Sequence, residues 1–289
     1  MLGEHLFGLY EKALDPSDTW ERRLSKAAKL GFDYMEICID EQDARLARLE
    51  WSRAQIEDLR AAAVREGVPL LTLCLSGHRR FPFGSADPKT RQRAYDIMDK
   101  AIDFASAMGS RVIQMAGYDV YYEPSTAESR RLFMQGLKWA AGRAARKQVM
   151  LGMEIMDTDF YTSITKHLEF EWEVNSPWFH VYPDIGNLSA WGNDVEREFA
   201  KGIGSIVSVH VKETHAVTQD CPGQFRDVPF GTGCVDFAKC FGKLEALGYT
   251  GPYLMEMWHS EGTDDVEEAA KARDFVRGRF ELAMRTYQG

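Results

Sequence analysis

Eight short apolar runs alternate along this chain with longer stretches of amphipathic, helix-like periodicity. Each run is rich in valine, isoleucine, leucine, tyrosine or methionine, which is typical of strands that are buried on both faces. The predicted strands are His5–Tyr10, Tyr34–Asp40, Leu70–Leu75, Arg111–Gly117, Val149–Ile155, Phe179–Asp184, Ile206–Lys212 and Pro252–Trp258. Because a helix-length segment separates most of these runs, the sequence predicts parallel strands joined by helices.

Capping residues and glycines mark the ends of the helices between these strands. Ser52 with Gln55 predicts a capping box, and so does Ser125 with Glu128. Asp15-Pro16 and Asp87-Pro88 each place a cap before a proline. The predicted helices run from Asp15 to Gly31, Ser52 to Gly67, Asp87 to Gly109, Ser125 to Lys147, Ser163 to Val174, Asn193 to Lys201, Asp236 to Leu247 and Asp264 to Thr286.

Eight strand–helix units in a chain of 289 residues match an α/β fold of the (β/α)8 TIM-barrel type, for which about 250 residues is typical. A doubly wound sheet is the main alternative, but no glycine-rich dinucleotide fingerprint follows the first strand. The chain has no linker-like segment and no fixed-period repeat, so we predict one domain over residues 1–289. The longest irregular stretch, His215–Gly233, is predicted to be a lid or rim loop.

Charge and cysteine content narrow the classes of function. The chain carries 35 basic and 44 acidic residues, for a net charge of −9, which disfavours nucleic acid as a partner. No long uncharged stretch and no signal-peptide pattern is present, so no membrane segment is predicted. Five cysteines without a C-x-x-C pair are typical of reduced thiols, and we predict a cytoplasmic protein.

An ionisable side chain follows apolar residues at the end of each of the last four predicted strands. These residues are Glu154, Asp184, His210 and Glu256. Active sites of parallel barrels lie at the carboxyl ends of the strands, and a charge beside apolar residues is costly unless it is paired or binds a cation. One such residue alone is more often a helix cap or a hydrogen-bonded core residue. Four on consecutive strands predict a divalent metal site, and the mixed oxygen and nitrogen ligands suit Mn²⁺, Mg²⁺ or another divalent ion, unlike the ligands of a thiolate-rich zinc site.

Two further side chains share strand faces with these predicted ligands. Lys212 points the same way as the histidine of strand seven, and Trp258 points the same way as the glutamate of strand eight. Lys212 either meets substrate oxygens or a phosphate, or pairs with a neighbouring carboxylate such as Glu213 or Asp227. Trp258 either lines a substrate pocket or caps the barrel.

Three loop motifs offer groups that suit a phosphate or a sugar. His78-Arg79-Arg80 follows strand three and is either an anion clamp or a set of surface salt bridges. The turn Gly231-Thr232-Gly233 either cradles a phosphate with its backbone N–H groups or is a plain turn. Tyr118 and the tyrosines after it offer hydroxyl groups to a sugar or form an interface patch.

Long motifs of the chain are similar to those of one known family. They are His78 to Pro82, Ala116 to Tyr122, Met153 to Asp157, Tyr182 to Trp191, Val209 to Lys212, Val228 to Gly231, Val235 to Phe237 and Gly251 to Trp258. They resemble the bacterial L-ribulose-5-phosphate 3-epimerase family, also called L-xylulose-5-phosphate 3-epimerase, of L-ascorbate degradation. The likeness runs from Gly8 almost to the C-terminus. More widely, the ligand order is shared by xylose-isomerase-like barrels.

The resemblance implies an isomerase that inverts C3 of a ketopentose 5-phosphate and so interconverts L-ribulose 5-phosphate and L-xylulose 5-phosphate. It implies one divalent metal ion, Mn²⁺ before Mg²⁺, Co²⁺ or Zn²⁺, on Glu154, Asp184, His210 and Glu256, where it binds substrate O2 and O3. Glu154 and Glu256 resemble the family's two acid/base carboxylates, which move the proton through a cis-enediolate. Relatives of this kind suggest a homodimer.

The predicted substrate-binding residues are His78, Arg79, Tyr118, Asn187, Lys212, Gly231, Gly233 and Trp258. Apurinic-site endonucleases of the same fold resemble the chain at the four ligand positions but need several additional histidines. They carry a histidine where this chain has Asn187, and a D-x-H pair where it has Asp227-Val228-Pro229. This departure disfavours phosphodiester cleavage.

Two other functions stay open from the residues. The first is a 3-epimerase or an aldose–ketose isomerase that acts on an unphosphorylated ketose with the same metal. The second is a sugar- or metal-binding barrel without catalysis, against which the presence of both Glu154 and Glu256 argues.

Overall fold

Parallel pairing joins eight strands into one sheet that nearly closes on itself in the computed structural model, which describes residues 1–286. The strand order is β6-β5-β4-β3-β2-β1-β8-β7. Two parallel bridges, Val181 with Ile206 and Asp184 with His210, connect the β6 and β7 edges. The predicted (β/α)8 barrel is therefore confirmed. The predicted domain, residues 1–289, extends past the described residues by Tyr287, Gln288 and Gly289.

The observed strands lie within the predicted runs, and six of them end earlier, whereas β1 and β3 end where predicted. Their bounds are β1 Phe7–Tyr10, β2 Tyr34–Ile39, β3 Leu70–Leu75, β4 Val112–Ala116, β5 Met150–Glu154, β6 Phe179–Tyr182, β7 Val209–Val211 and β8 Tyr253–Met255. Asp184, Lys212 and Glu256 therefore come just after their strands. Since the carboxyl ends of parallel strands meet at one rim, these early ends place the three side chains there.

Ten α-helices lie between or after the strands in residues 1–286. Their bounds are α1 Trp20–Lys29, α2 Asp43–Leu46, α3 Arg53–Glu66, α4 Pro88–Met108, α5 Ala127–Ala145, α6 Ile164–Val174, α7 Ile185–Ala190, α8 Val195–Gly202, α9 Phe237–Ala246 and α10 Asp265–Thr286. Short 3₁₀ turns add Glu11–Ala13, Ala47–Glu50, Gly77–Arg79 and Ile203–Ser205. The capping box of Ser52 and Gln55 is confirmed.

Three predicted helix starts are wrong because a later residue makes the cap; the helix predicted from Asn193 is capped by Asp194. The first helix begins at Trp20, where Thr19 accepts a hydrogen bond from the Arg22 N–H, while Asp15 closes a local turn. The fifth helix is capped by Thr126, which forms a capping box with Ser129. The earlier residues are also of cap-forming types, so residue type alone does not choose between neighbouring candidates.

The strands separate an outer core from the interior of the barrel. Along β2, Met35, Ile37 and Ile39 belong to the large apolar core that the helices cover. The alternate residues Tyr34 and Cys38 belong instead to a small separate cluster with groups of β1, β3 and β8. Glu36, between these two residues on the same face of β2, is fully buried as well, so the interior below the site is partly polar.

Two further predictions from the sequence concern the cysteines and membrane-spanning segments. All five cysteines are free thiols. Within residues 1–286, no helix combines the length and the apolar character that a membrane crossing requires.

Candidate metal centre

Four buried side chains from four consecutive strands converge at the carboxyl rim of the barrel. Glu154, Asp184, His210 and Glu256 each offer one ligand atom, and these atoms lie within 4.8 Å of one another. They are the four residues that the sequence predicted. The rim geometry brings them together because Glu154 ends β5, Asp184 and Glu256 come within two residues of the ends of β6 and β8, and His210 lies in the short strand β7.

Asp184 uses its two carboxylate oxygens for different tasks. Oδ1 accepts a hydrogen bond of 2.8 Å from the Asn187 N–H and so caps α7. Oδ2 faces the cluster, 3.9 Å from His210 Nδ1. The helix cap is therefore confirmed for one oxygen, and the other oxygen is available for the predicted metal site.

The imidazole of His210 lies between carboxylates on both of its nitrogens. Nδ1 is 3.1 Å from Glu154 Oε1 and 3.6 Å from Glu256 Oε2. Nε2 is 3.2 Å from Glu36 Oε1. Burial by itself lowers the pKa of His210, but the charges of Glu256 and Glu36 outweigh it and raise that pKa well above its usual value.

Lys212 reaches back to the cluster rather than outward. Its Nζ lies 2.9 Å from Asp184 Oδ2 and 3.1 Å from Glu256 Oε2. Burial would lower the pKa of this lysine, but the two carboxylates raise it instead. The predicted alternative of a carboxylate pair is correct in kind, but the partners are Asp184 and Glu256 rather than Glu213 or Asp227, because the side chain turns toward the barrel axis.

The donor set fits a divalent cation. Asp184 Oδ2 and Glu256 Oε2 are buried and make no hydrogen bond of good geometry, although Lys212 is close to both. Burial raises the pKa of Glu154 to about 7, whereas Lys212 and His210 override burial and lower the pKa of Glu256 well below its usual value. Three carboxylates and one imidazole are hard and borderline ligands of the kind that Mn²⁺ and Mg²⁺ accept.

A cavity of about 170 Å³ opens above this cluster. Predicted residues that line it, besides Glu154 and Glu256, are Arg79, Tyr118, Asn187, Lys212 and Trp258. Asn187 donates from Nδ2 to the Ile155 carbonyl at 2.7 Å, while its buried Oδ1 has no partner. That oxygen is free to accept a hydrogen bond from a ligand hydroxyl group.

The side chains of Arg79 and Arg80 point in different directions, although the two residues are adjacent in the sequence. Arg79 is buried, donates to the Tyr118 hydroxyl at 3.0 Å and lies 4.7 Å from the Tyr121 ring centroid. Arg80 is exposed and pairs with Asp43 at 2.7 Å. Only Arg79 therefore reaches the cavity, and the salt-bridge interpretation is correct for Arg80.

Trp258 lines the cavity beside two cations. Its ring lies 5.8 Å from Lys212 Nζ and 5.7 Å from the Arg226 guanidinium, and it meets the Tyr10 ring edge-on at 6.1 Å. The indole is thus part of the pocket wall, as one of the two interpretations predicted.

His78 does not reach the cavity, so its prediction as a substrate-binding residue is wrong. Its Nε2 lies 3.1 Å from the Ala94 carbonyl of α4, and its ring stacks on Phe83. The 3₁₀ turn Gly77–Arg79 sends consecutive side chains in different directions, which turns His78 toward α4 and Arg79 toward the cavity. Burial lowers the pKa of His78 to about 4.

We expect this histidine to make stability depend on pH. Between about pH 6.5 and pH 4, His78 is protonated in the unfolded chain but neutral in the folded chain. Its contribution to the unfolding free energy is therefore complete above pH 6.5 and is lost progressively as the pH falls. From neutral pH to about pH 5, wild type should lose about 2 kcal/mol more unfolding free energy than His78→Gln. Urea denaturation in EDTA measures this, and equal losses in both proteins would contradict it.

The glycine turn at the end of the rim loop is also outside the cavity. The Gly231 N–H donates to Glu213 Oε2 at 2.9 Å, and a Cβ on Gly233 would lie only 2.1 Å from the Thr214 carbonyl oxygen. The predicted phosphate cradle of Gly231 and Gly233 is therefore wrong. The turn instead binds a buried carboxylate of its own chain, and its second glycine is required by close packing.

Several residues of the site were not predicted from the sequence. Glu36 and Gln114 lie inside apolar strands and contact His210 and Glu154, respectively. Glu36 carries the same signal as Glu154, a charge within an apolar run, and could have been found by it. Lys12, Asp40, Asp157 and Arg226 also line the cavity, but they lie in loops or turns where charged residues are ordinary.

Comparison with known proteins identifies the family. The family described as xylose isomerase-like TIM barrel matches residues 24–279. A protein of Escherichia coli strain SMS-3-5, named L-ribulose-5-phosphate 3-epimerase UlaE, is 52% identical over 276 residues, which cover 96% of this chain and 95% of the relative. The protein of that name from Escherichia fergusonii is 52% identical with the same coverage. The chain belongs to the L-ribulose-5-phosphate 3-epimerase family.

Membership of this epimerase family confirms the prediction of an isomerase. Solved structures agree on the fold. An L-ribulose 3-epimerase has a TM-score of 0.75 at 22% identity and covers 96% of this chain and 95% of its own. A D-psicose 3-epimerase solved with D-fructose has a TM-score of 0.75 at 18% identity, with 98% and 99% coverage.

Proposed function

We propose that this member of the epimerase family interconverts L-ribulose 5-phosphate and L-xylulose 5-phosphate by inversion at C3, in L-ascorbate or related pentose catabolism. One observation carries the proposal. Glu154 and Glu256, from strands β5 and β8, face the same buried cluster, and each is within 3.6 Å of the His210 ring nitrogen Nδ1. Two carboxylates at one rim are what a proton transfer to and from opposite faces of one carbon requires.

The C3 proton of a 2-ketose is acidic because it lies α to the C2 carbonyl. A divalent cation on Glu154, Asp184, His210 and Glu256, with Mn²⁺ as our first choice, supplies Lewis-acid stabilisation of the negative charge that forms when this proton leaves. One carboxylate removes the proton and the second carboxyl group returns a proton to the other face. A single residue would tend to return the proton where it came from.

The neighbours of the two carboxylates fix where their oxygens lie. Gln114 donates from Nε2 to Glu154 Oε2, and Lys212 holds Glu256 Oε2 at 3.1 Å. Both carboxylates are buried yet line the cavity, so a bound substrate can contact them while little bulk water does. Asn187 Oδ1 supplies an acceptor for a substrate hydroxyl group.

Three cations line the cavity apart from Lys212, and they differ in their partners. Lys12 pairs with Asp40 at 2.6 Å, and Arg79 has Glu41 at 3.8 Å. Arg226 has no carboxylate at ion-pair distance among residues 1–286 and lies on the exposed rim loop. We therefore assign the phosphate mainly to Arg226, with Arg79 on the wall behind it.

Removing these arginines should weaken phosphate binding selectively. We expect Arg226→Met to raise KM for the phosphorylated pentulose by roughly 10–100-fold, because a charge-assisted hydrogen bond is lost, with little change for the free pentulose. Arg79→Met should act in the same direction. Arg80→Met is the control, since Arg80 points away from the cavity and pairs with Asp43. Equal effects on both substrates would contradict the assignment.

Proton NMR of L-ribulose 5-phosphate in D₂O with the Mn²⁺-reconstituted protein, quenched with EDTA before recording, tests the function. We expect the C3 proton signal to disappear while L-xylulose 5-phosphate accumulates, and an enzyme treated with EDTA beforehand to do neither. Absence of exchange with every divalent metal would overturn the proposed substrate. Exchange at C1 with aldose formation would make the protein an isomerase of the aldose–ketose kind.

An unphosphorylated ketose is the second candidate substrate. The structural neighbours named L-ribulose 3-epimerase and D-psicose 3-epimerase favour it, since their names carry no phosphate. Parallel assays with L-ribulose and its 5-phosphate decide between the two. A higher kcat/KM for the free sugar would replace the first proposal with this one.

A further inference from the structure

A fourth carboxylate, Glu36 on β2, lies inside the barrel behind the candidate metal centre. It is fully buried, and its Oε1 is 3.2 Å from His210 Nε2. Strands β2 and β7 are separated in the sheet by β1 and β8, so this contact crosses the barrel interior. A carboxylate in such a place is costly unless its partners are well ordered.

The other oxygen of Glu36 is held by two hydroxyl groups. Thr72 donates from Oγ1 to Glu36 Oε2 at 2.7 Å, and the Tyr182 hydroxyl donates to the same oxygen at 3.3 Å. Thr72 is the register partner of Glu36 on the adjacent strand β3. These donors fix the carboxylate and leave Oε1 directed at the imidazole.

The two nitrogens of His210 consequently face different groups. Nδ1 faces Glu154 and Glu256 in the cluster, whereas Nε2 faces only Glu36 among carboxylates at ion-pair distance within residues 1–286. A neutral imidazole has one N–H group and one lone pair. When Nε2–H donates to Glu36, the lone pair is on Nδ1 and points at the position that a cation would take.

We infer that Glu36 is a positioning residue for His210. Its carboxylate accepts the Nε2–H hydrogen bond, selects the tautomer with a free lone pair on Nδ1, and makes that nitrogen a stronger donor to a divalent cation. The inference rests on the proposed function in one respect, the binding of a divalent cation, and not on the identity of the sugar. No other carboxylate of the cluster can do this, because all of them lie on the Nδ1 side.

The competing explanation is that Glu36 is only a buried counter-charge that stabilises the barrel. The chain offers a matched control for that possibility. Glu171 also binds histidine nitrogens, His167 Nε2 at 2.9 Å and His180 Nδ1 at 3.0 Å, but it lies on α6 outside the metal cluster. Its removal costs a carboxylate–histidine contact without touching His210.

The test is the dissociation constant for Mn²⁺, measured by titration calorimetry on metal-free protein. We expect Glu36→Gln, whose amide oxygen can still accept from Nε2–H, to raise it about 10-fold, and Glu36→Leu to raise it by up to about 100-fold. Glu171→Gln should leave it unchanged. Thermal unfolding of the metal-free proteins reports stability separately from cation binding.

The results of this titration separate failure of the proposed function from failure of the inference about Glu36. If wild type binds no Mn²⁺, the metal part of the proposed function fails, and the inference fails with it. If wild type binds and Glu36→Gln binds equally well, only the inference is overturned, and the same holds if Glu171→Gln weakens binding as much. If neither Glu36 variant folds, Thr72→Val serves instead, because it removes a hydrogen bond to the Glu36 carboxylate. We expect it to raise the dissociation constant for Mn²⁺ severalfold, and an unchanged value would overturn the inference.

Discussion

Replacing Glu154 or Glu256 by glutamine is expected to lower the rate of C3 epimerisation by roughly 10²–10⁴-fold. Each substitution keeps the shape of the side chain and removes a group that can carry the proton. Each also removes a charge from the cluster of three carboxylates and one imidazole that fits a divalent cation. The measurement is kcat/KM for both epimers at saturating Mn²⁺, so that weakened cation binding does not by itself lower the rate.

Glu171→Gln is the control for this pair of variants, because it removes a partly buried carboxylate away from the cavity. It should keep its activity within a few-fold of wild type. If either Glu154→Gln or Glu256→Gln retained activity within 10-fold of wild type, that residue would not be an acid/base group of the reaction.

Lys212→Met is expected to lower the unfolding free energy of the metal-free protein by about 3–5 kcal/mol. Lys212 is 6% exposed and lies within 3.1 Å of carboxylate oxygens of Asp184 and Glu256. Methionine fills much of the same volume but leaves both carboxylates buried without this cation. Urea denaturation in EDTA measures the loss, and saturating Mn²⁺ should restore part of it, since a bound cation stabilises the folded state.

Lys271→Met is the matched control for the lysine. Lys271 also pairs with two carboxylates, Glu267 at 2.8 Å and Glu268 at 3.0 Å, but it is 60% exposed. Water screens such a pair, so this variant should change the unfolding free energy by at most about 1 kcal/mol. Equal losses for both lysines would show that burial does not govern the contribution of Lys212.

Predicted substrate-binding residues on strands were placed more reliably than those in loops. Lys212 and Trp258 were placed by the alternation of side chains along one strand, and both lie in the cavity wall. The residues of the loop motifs were placed by residue type, and of these Arg79 and Tyr118 line the cavity, whereas His78, Gly231 and Gly233 do not. These three lie elsewhere because a loop backbone has no fixed period, so neighbouring side chains point wherever local turns and packing send them.

The helix caps also show that residue type alone does not fix which of two neighbouring residues is used. Ser52 and Gln55 form the predicted box, but Ser125 yields to Thr126 one position later. Both residues are competent caps by type. The choice between them depends on Ser129, whose hydroxyl bonds Asp119 from the preceding loop as well as Thr126, and that contact is set by tertiary structure.

The sequence by itself determined the barrel and the four residues at its rim. Both follow from local patterns, since apolar periodicity sets the order of strands and helices, and a charge that ends an apolar strand must lie at the rim. Only the tertiary structure decided that Lys212 turns to Asp184 and Glu256 and that Glu36 meets His210. Those contacts join residues distant in the chain, and the curvature and register of the closed sheet, which no local pattern encodes, set their distances.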